Sequence, residues 1–173
     1  MMGTAVVNGI TVAYTDEGRG RPLVLVHGHP FDRSMWAPQV AEFAGSGWRV
    51  IAADLRGYGH STVVAGTTPL ETFARDLAAV LDHLRIDGVV LAGLSMGGQI
   101  VMECYRLFAH RIKALVQADT VARAETEEGK RNRRLMADRL LREGMGPYAD
   151  ETLPKMIAPR NIVAISQRTS AFR

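Results

Sequence analysis

The 173-residue sequence predicts an α/β fold in which helices cover both faces of a mostly parallel sheet. Short apolar runs of strand length alternate with amphipathic segments of helix length along residues 1–120. Several of these runs are apolar on both faces, as strands in the middle of a parallel sheet are. Parallel neighbours need long crossover connections, and the helical segments between the runs are long enough to provide them.

The predicted elements follow one another in a regular order. Strands are expected at residues 10–14, 23–26, 49–53, 89–92 and 114–116, and helices at residues 34–44, 68–84 and 97–109. Thr68, Pro69 and Glu71 predict a capping box at the start of the second helix. After Asp119 the pattern changes to helices alone, which are expected near residues 123–144 and 150–157.

Composition excludes several classes of protein. The net charge is only +3, and the densest basic run, KRNRR at residues 130–134, follows three glutamates that can pair with it along a helix. We therefore expect no nucleic-acid partner. No apolar run approaches the roughly 20 residues of a membrane helix, so no membrane association is expected. The single cysteine, Cys104, and the absence of a secretory signal predict a cytoplasmic location.

The pentapeptide GLSMG at residues 93–97 carries the first sign of chemistry. It matches the pattern G-x-S-x-G, with a predicted strand before it and a predicted helix after it. In that setting the serine lies on a sharp turn that presents its hydroxyl above the sheet. Ser95 is therefore predicted to be a nucleophile; the alternative is a serine that only caps the helix. No G-x-G-x-x-G follows a strand, which argues against dinucleotide binding.

Two further motifs follow predicted strands. HGHPF at residues 27–31 comes after the second strand, and DLRGYGHS at residues 54–61 comes after the third. With GLSMGG at residues 93–98 they occur in order, and the sequence resembles the α/β-hydrolase superfamily over residues 10–157. It is most similar to the esterase, enol-lactonase and cofactor-free perhydrolase branch. The arginine and aspartate of the second motif, Arg56 and Asp54, are expected to tie loops together rather than to catalyse.

The resemblance implies a backbone oxyanion hole and a cap. Its donors would be the N–H groups of Phe31 and Met96, because Pro30 has none. The alternative is a simple glycine-proline turn in which His27 braces the loop. The resemblance further implies a core at residues 1–120, and at residues 121–173 part of a helical cap followed by a divergent C-terminal tail. It implies neither a metal nor an organic cofactor.

The expected catalytic histidine has no obvious counterpart. The triad of such hydrolases runs nucleophile, acid, histidine along the chain, yet only His110 follows Ser95. It lies at the far end of the same predicted helix, about 22 Å away at 1.5 Å per residue. Asp119, which ends a strand beside the serine, is the candidate acid. We interpret the sequence as a C-terminally truncated or frame-shifted hydrolase.

Two functions remain open at this point. The first is a serine hydrolase of small esters, lactones or related acyl compounds, impaired because no triad histidine follows the nucleophile. The alternative is a non-catalytic, hydrolase-like module that binds a ligand or a partner. In either case the missing strands would leave an exposed sheet edge through which copies of the chain could form a homo-oligomer.

Overall fold

The computed structural model describes residues 1–156 and 158, and its first 122 residues are built around one six-stranded sheet. The spatial order is β1-β2-β4-β3-β5-β6, in which β4, β3, β5 and β6 are parallel while β2 runs antiparallel to both of its neighbours, β1 and β4. The strands are β1 (Met2–Val7), β2 (Ile10–Gly18), β3 (Arg21–Val26), β4 (Trp48–Ala53), β5 (Val89–Leu94) and β6 (Ile112–Ala118). The predicted α/β class with a mostly parallel sheet is confirmed.

Helices cover the two faces of this sheet. They are α1 (Ala37–Ala44), α2 (Leu70–His83) and α3 (Met96–Phe108), and β3 shows how the faces are divided. Its Val24 and Val26 belong to the larger apolar cluster, with α2 and α3, while Leu23 and Leu25 belong to the smaller cluster with Val40 of α1. Because successive side chains of a strand point to opposite faces, a short apolar run serves both clusters.

The sheet has one strand that the sequence analysis did not predict. Strand β1 pairs with β2 through a tight hairpin whose turn residues, Asn8 and Gly9, both have positive φ angles, of 46° and 76°. Asn-Gly is the dipeptide that such a turn favours, because both of its positions need a left-handed backbone. The hairpin places β1 at the edge of the sheet opposite β6.

The start of α2 corrects the predicted capping box. The helix begins at Leu70 and its N-cap is Pro69, whose extended backbone (φ −65°, ψ 152°) makes no side-chain cap. Thr68 thus lies one position too early to cap the helix. Glu71 instead pairs with Arg75 one turn further along, at 2.6 Å.

The chain divides into two compact units, Met1–Ala122 and the remainder from Arg123. The second contains α4 (Glu127–Glu143) and α5 (Met145–Met156). The basic run on α4 is paired as expected, with Lys130 bonded to Glu127 at 2.6 Å and Arg133 to Glu125 at 2.7 Å. The identity of this unit as a cap stays a prediction. Of the divergent tail predicted at residues 158–173, only residue 158 is among the described residues. No helix in the described part combines the length and apolar character needed to cross a bilayer.

Buried ion pairs hold the loops against the core. Asp54 is fully buried and accepts hydrogen bonds from the side chain and backbone N–H of Arg33 and from the backbone N–H of His60. Asp76 of α2 accepts two bonds from Arg56, at 2.7 and 2.8 Å. These contacts agree with the structural role expected for the motif at residues 54–61.

Removal of the Asp76 carboxylate tests how much this network stabilises the fold. In Asp76→Ala the nearly buried guanidinium of Arg56 loses both bonds, and Asn8 loses the bond that its amide donates at 3.0 Å. We expect the free energy of unfolding to fall by about 3 kcal/mol or more. Glu71→Ala, on the same helix, removes two solvent-exposed ion pairs, with Arg75 and Arg106, and should cost no more than about 1 kcal/mol. Urea denaturation measures both; equal losses would contradict the argument.

Candidate active site

Ser95 lies at the turn between β5 and α3 in a strained conformation. Its φ is 52° and its ψ is −116°, a left-handed region that costs a non-glycine residue about 1–3 kcal/mol. Two bonds hold it there: its N–H donates to the carbonyl of Ala118 at 2.9 Å, and its carbonyl accepts from the Thr120 hydroxyl at 2.7 Å. The residue is exposed. The turn therefore presents a serine hydroxyl to solvent on a backbone that is fixed from behind.

Glycines allow this turn to form. A Cβ on Gly93 would collide with the carbonyl of Gly97, and a Cβ on Gly97 would collide with the carbonyl of Val26. A Cβ on Gly28 would lie 2.9 Å from the carbonyl oxygen of Leu94 and 3.2 Å from the Cβ of Ser95. The loop after β3 is thus pressed directly against the serine turn.

The start of α3 provides backbone donors next to the serine. Met96 is the first residue of the helix, and the first four N–H groups of a helix have no acceptor within it. Such a terminus also carries partial positive charge, which favours an anion. The assignment of the Met96 N–H to an oxyanion hole stays a prediction that this location supports.

The predicted donor on the opposite loop has a backbone acceptor in this structure, and its oxyanion role stays a prediction. The N–H of Phe31 donates to the carbonyl of Gly28 at 3.0 Å, so it closes a turn within its own loop. Pro30, just before it, has no N–H to offer. Within this loop, the backbone of Gly28 lies against the serine turn.

His27 is a brace and not a base. It is fully buried, its Nε2 accepts from the backbone N–H of Leu55 at 3.0 Å, and its Nδ1 lies 3.1 Å from the carbonyl of Gly28. Because Nε2 accepts, Nδ1 carries the proton and the ring is neutral. Burial lowers its pKa below the usual value, which keeps it neutral. This matches the loop-bracing alternative of the sequence analysis.

The side chains of His29 and Tyr58 lie beside the loop at residues 27–31 and the serine turn. The Nδ1 of His29 is 3.1 Å from the hydroxyl of Tyr58, and the same hydroxyl lies 3.8 Å from the sulfur of Met96. The ring of Tyr58 also meets that of His27 edge-on at 5.2 Å. The sequence analysis did not single out Tyr58. Its position in the motif at residues 54–61, which follows the strand beside the one that leads into the loop at residues 27–31, was the signal that could have pointed to Tyr58.

His110 and Asp119 are the remaining candidates from the sequence. His110 follows the C-terminal end of α3, so a 13-residue helix separates it from Ser95. Asp119 directly follows β6, has a φ of 42° and is exposed; its role as the acid stays a prediction.

Cys104 is buried in α3, and burial raises the pKa of its thiol to about 12, which disfavours a thiolate nucleophile. The described residues contain no cluster of three or more side chains suited to a metal.

Titration of His27 should be visible in the stability of the protein. Unfolded histidine binds a proton as the pH falls through about 6.5, whereas the folded chain takes it up only at lower pH. Its contribution is complete above the unfolded pKa, and stability is lost as the pH falls from there towards the folded pKa. In His27→Gln this part of the loss should disappear. Urea unfolding from about pH 7.5 to 5.5 compares the slopes; equal slopes would show that His27 is not the group responsible.

The hydroxyl of Thr120 should matter for the geometry of the turn. Thr120→Val keeps the shape that packs against Gly98 but removes the bond to the Ser95 carbonyl. We expect a loss of about 1 kcal/mol in unfolding free energy, together with slower labelling of Ser95 by a fluorophosphonate. Thr120→Ser retains the hydroxyl and should restore both values. A valine variant that labels at the wild-type rate would refute this role.

Comparison with known proteins supports a common ancestry. The sequence model of the alpha/beta hydrolase fold family matches residues 21–154. The chain is similar to an epoxide hydrolase of Caballeronia sordidicola, at 34% identity over 73% of this chain and 40% of that protein. It is also similar to a non-heme chloroperoxidase of Kitasatospora aureofaciens, at 42% identity over 53% of this chain and 33% of that protein. The chain thus spans about a third to two-fifths of these relatives.

Solved structures extend the match in three dimensions. An esterase from Thermogutta terrifontis is 40% identical with a TM-score of 0.83, over 89% of this chain and 58% of that one. The enol-lactonase from Burkholderia xenovorans is 32% identical with a TM-score of 0.82, over 95% of this chain and 65% of that one. Given this fold, the serine turn and the family match over most of its length, the chain belongs to the α/β-hydrolase family.

Proposed function

We propose that this chain is a serine hydrolase of small esters, lactones or related acyl compounds and that Ser95 is its nucleophile. The observation that carries the proposal is the left-handed backbone of an exposed Ser95 at the start of α3. Serine hydroxyls attack acyl carbon, which favours ester and lactone chemistry over the other reactions named among the relatives. An esterase and an enol-lactonase among the similar structures support the same substrate class.

The proposed chemistry begins with attack of the Ser95 oxygen on the acyl carbonyl. As the new C–O bond forms, the carbonyl electron pair moves to oxygen and the serine proton passes to solvent water. The resulting oxyanion would lie at the start of α3, within reach of the Met96 N–H. When the carbonyl re-forms, the C–O bond to the leaving group breaks and the alcohol departs with a proton from water; a second water then attacks the acyl-serine and releases the acid. No metal or organic cofactor takes part in this scheme.

We assign the second oxyanion donor to the backbone N–H of His29 in place of Phe31. The amide of Phe31 is bonded to Gly28, and Pro30 has none. His29 adjoins Gly28, whose backbone lies against Ser95. In this arrangement His27 supports the loop from below through its bond to Leu55, and the side chain of His29 lies beside Tyr58.

The proposed activity is weak. His27 is committed to backbone partners, and His110 lies beyond the far end of α3. A general base must lie within hydrogen-bond reach, at about 3 Å, and neither of these histidines meets that requirement. Asp119 stays the candidate acid of the site. Enzymes of this type that lack a triad member keep about 10³–10⁴-fold catalysis over water from the oxyanion hole and binding.

The position of His27 also fits a second candidate, a hydrolase-like module that binds an acyl ligand without turnover. A neutral His27, held by its backbone partners, would support the loop equally well for binding. A cytoplasmic location is part of both proposals, and its support is the single, buried Cys104, which suits a reducing compartment.

Labelling with a fluorophosphonate separates the two candidates. A hydrolase should form a covalent adduct at Ser95, found by peptide mass spectrometry, and should hydrolyse p-nitrophenyl acetate slowly. Ser95→Ala should lose both, whereas Ser46→Ala, which removes an exposed serine after α1, should lose neither. Absence of an adduct on a folded chain would favour the binding module. Labelling that persists in Ser95→Ala would refute Ser95 as the nucleophile.

A further inference from the structure

The hydroxyl of Tyr58 contacts two residues that belong to different parts of the site. It lies 3.1 Å from the Nδ1 of His29, on the loop after β3, and 3.8 Å from the sulfur of Met96, the first residue of α3. These are the two residues whose backbone N–H groups are assigned above to the oxyanion. A single phenol oxygen thus touches the side chains of both donor residues.

Both contacts are hydrogen bonds in one arrangement of the protons. A phenol has one proton to donate and lone pairs with which to accept, whereas a thioether sulfur accepts weakly and cannot donate. The proton of Tyr58 must therefore point to the sulfur of Met96 if that contact is a hydrogen bond. The Nδ1 of His29 then carries a proton and donates it to the phenol oxygen. Donation runs from His29 through Tyr58 to Met96.

Tyr58 is itself anchored to the support of the loop. Its backbone N–H donates to the carbonyl of Leu55 at 2.9 Å, and the N–H of Leu55 donates to buried His27 at 3.0 Å. Gly57 and Gly59, on either side of the tyrosine, have φ angles of 81° and 52°, so the chain turns sharply there. The ring meets His27 edge-on at 5.2 Å and packs against the larger apolar cluster. The hydroxyl is therefore presented from a fixed position.

The relative position of the two donor amides decides whether they can act together. An oxyanion donor is effective at about 2.7–3.1 Å from the developing charge, and a misplacement of about 1 Å can cost about 100-fold in rate. The loop after β3 and the start of α3 meet through Gly28 and Gly97. These glycines set how closely the main chains approach, but they have no side chains to fix the orientation of one segment relative to the other. Tyr58 adds a side-chain link between them.

We propose that Tyr58 is a positioning residue of this site, whose hydroxyl fixes the backbone N–H groups of His29 and Met96 relative to each other. The inference rests on the function proposed above, because it assumes that these two amides bind an oxyanion. Tyr58 acts through the side chains of the donor residues and not on the reacting atoms. Its effect should therefore fall on the rate of acyl transfer rather than on the binding of the substrate.

Removal of the hydroxyl tests this role. Tyr58→Phe keeps the ring against His27 but loses both contacts of the oxygen. We expect kcat for p-nitrophenyl acetate and the rate of Ser95 phosphonylation to fall about tenfold, with KM unchanged. The matched control is Tyr105→Phe, which removes an exposed phenol further along α3 and should change neither rate. Wild-type rates in Tyr58→Phe, or a rise in KM with kcat unchanged, would overturn the proposal. Circular dichroism establishes that both variants are folded.

A double-mutant cycle tests whether Tyr58 acts through His29. His29→Leu removes the Nδ1 but keeps the backbone N–H at that position. The double variant with Tyr58→Phe should be about as slow as the slower single variant, because both changes break the same link. His29→Asn places an amide N–H close to the position of the Nδ1 and should be faster than His29→Leu. Losses that multiply in the double variant would show that the two side chains act independently, which would refute the link.

Backbone amide NMR separates this inference from the proposed function, because it needs no turnover. In Tyr58→Phe the amide resonances of both His29 and Met96 should shift, whereas Tyr105→Phe should move neither. If both resonances shift but wild-type Ser95 forms no phosphonate adduct, the nucleophile proposal fails and the link through Tyr58 is supported. If Ser95 forms the adduct but neither resonance shifts, the link is refuted and the nucleophile proposal is supported.

Discussion

The close approach of three backbone segments around Ser95 is the constraint on which the site depends. Strand β5, the start of α3 and the end of β3 meet where Gly93 and Gly97 leave no room for a side chain. That closeness forces the sharp turn, and the turn gives Ser95 its left-handed backbone. It also directs the N-terminus of α3 towards the loop at residues 27–31. The serine hydroxyl, the first amides of α3 and the loop at residues 27–31 come together because glycine permits contact between main chains.

Local chemistry explains how much of this the sequence could predict. The parallel strands and the serine turn follow from apolar runs and glycine positions that act over a few residues. The hairpin at Asn8 and Gly9 was equally readable but was missed. Two other features were not readable in this way: Pro69 replaced Thr68 as the helix cap, and the N–H of Phe31 bonds to the carbonyl of Gly28. In each case backbone groups one to three residues apart compete, and the sequence does not show which wins.

The role of His27 shows why residue type alone does not define a catalytic group. A histidine near a serine suggests a base, yet both ring nitrogens of His27 meet backbone groups, one on its own loop and one on Leu55. A ring held in this way cannot exchange protons with a substrate without breaking its support. Its burial and lowered pKa are the signs of a structural histidine that a linear motif does not contain.

Strand β6 holds the serine turn from one side. The serine turn depends on it twice, through the bond from the Ser95 N–H to Ala118 and through the Thr120 hydroxyl that follows the strand. The side of β6 that faces β5 therefore holds a strained residue in place. The rigidity of Ser95 thus depends on a neighbouring strand as well as on the glycines of its own turn.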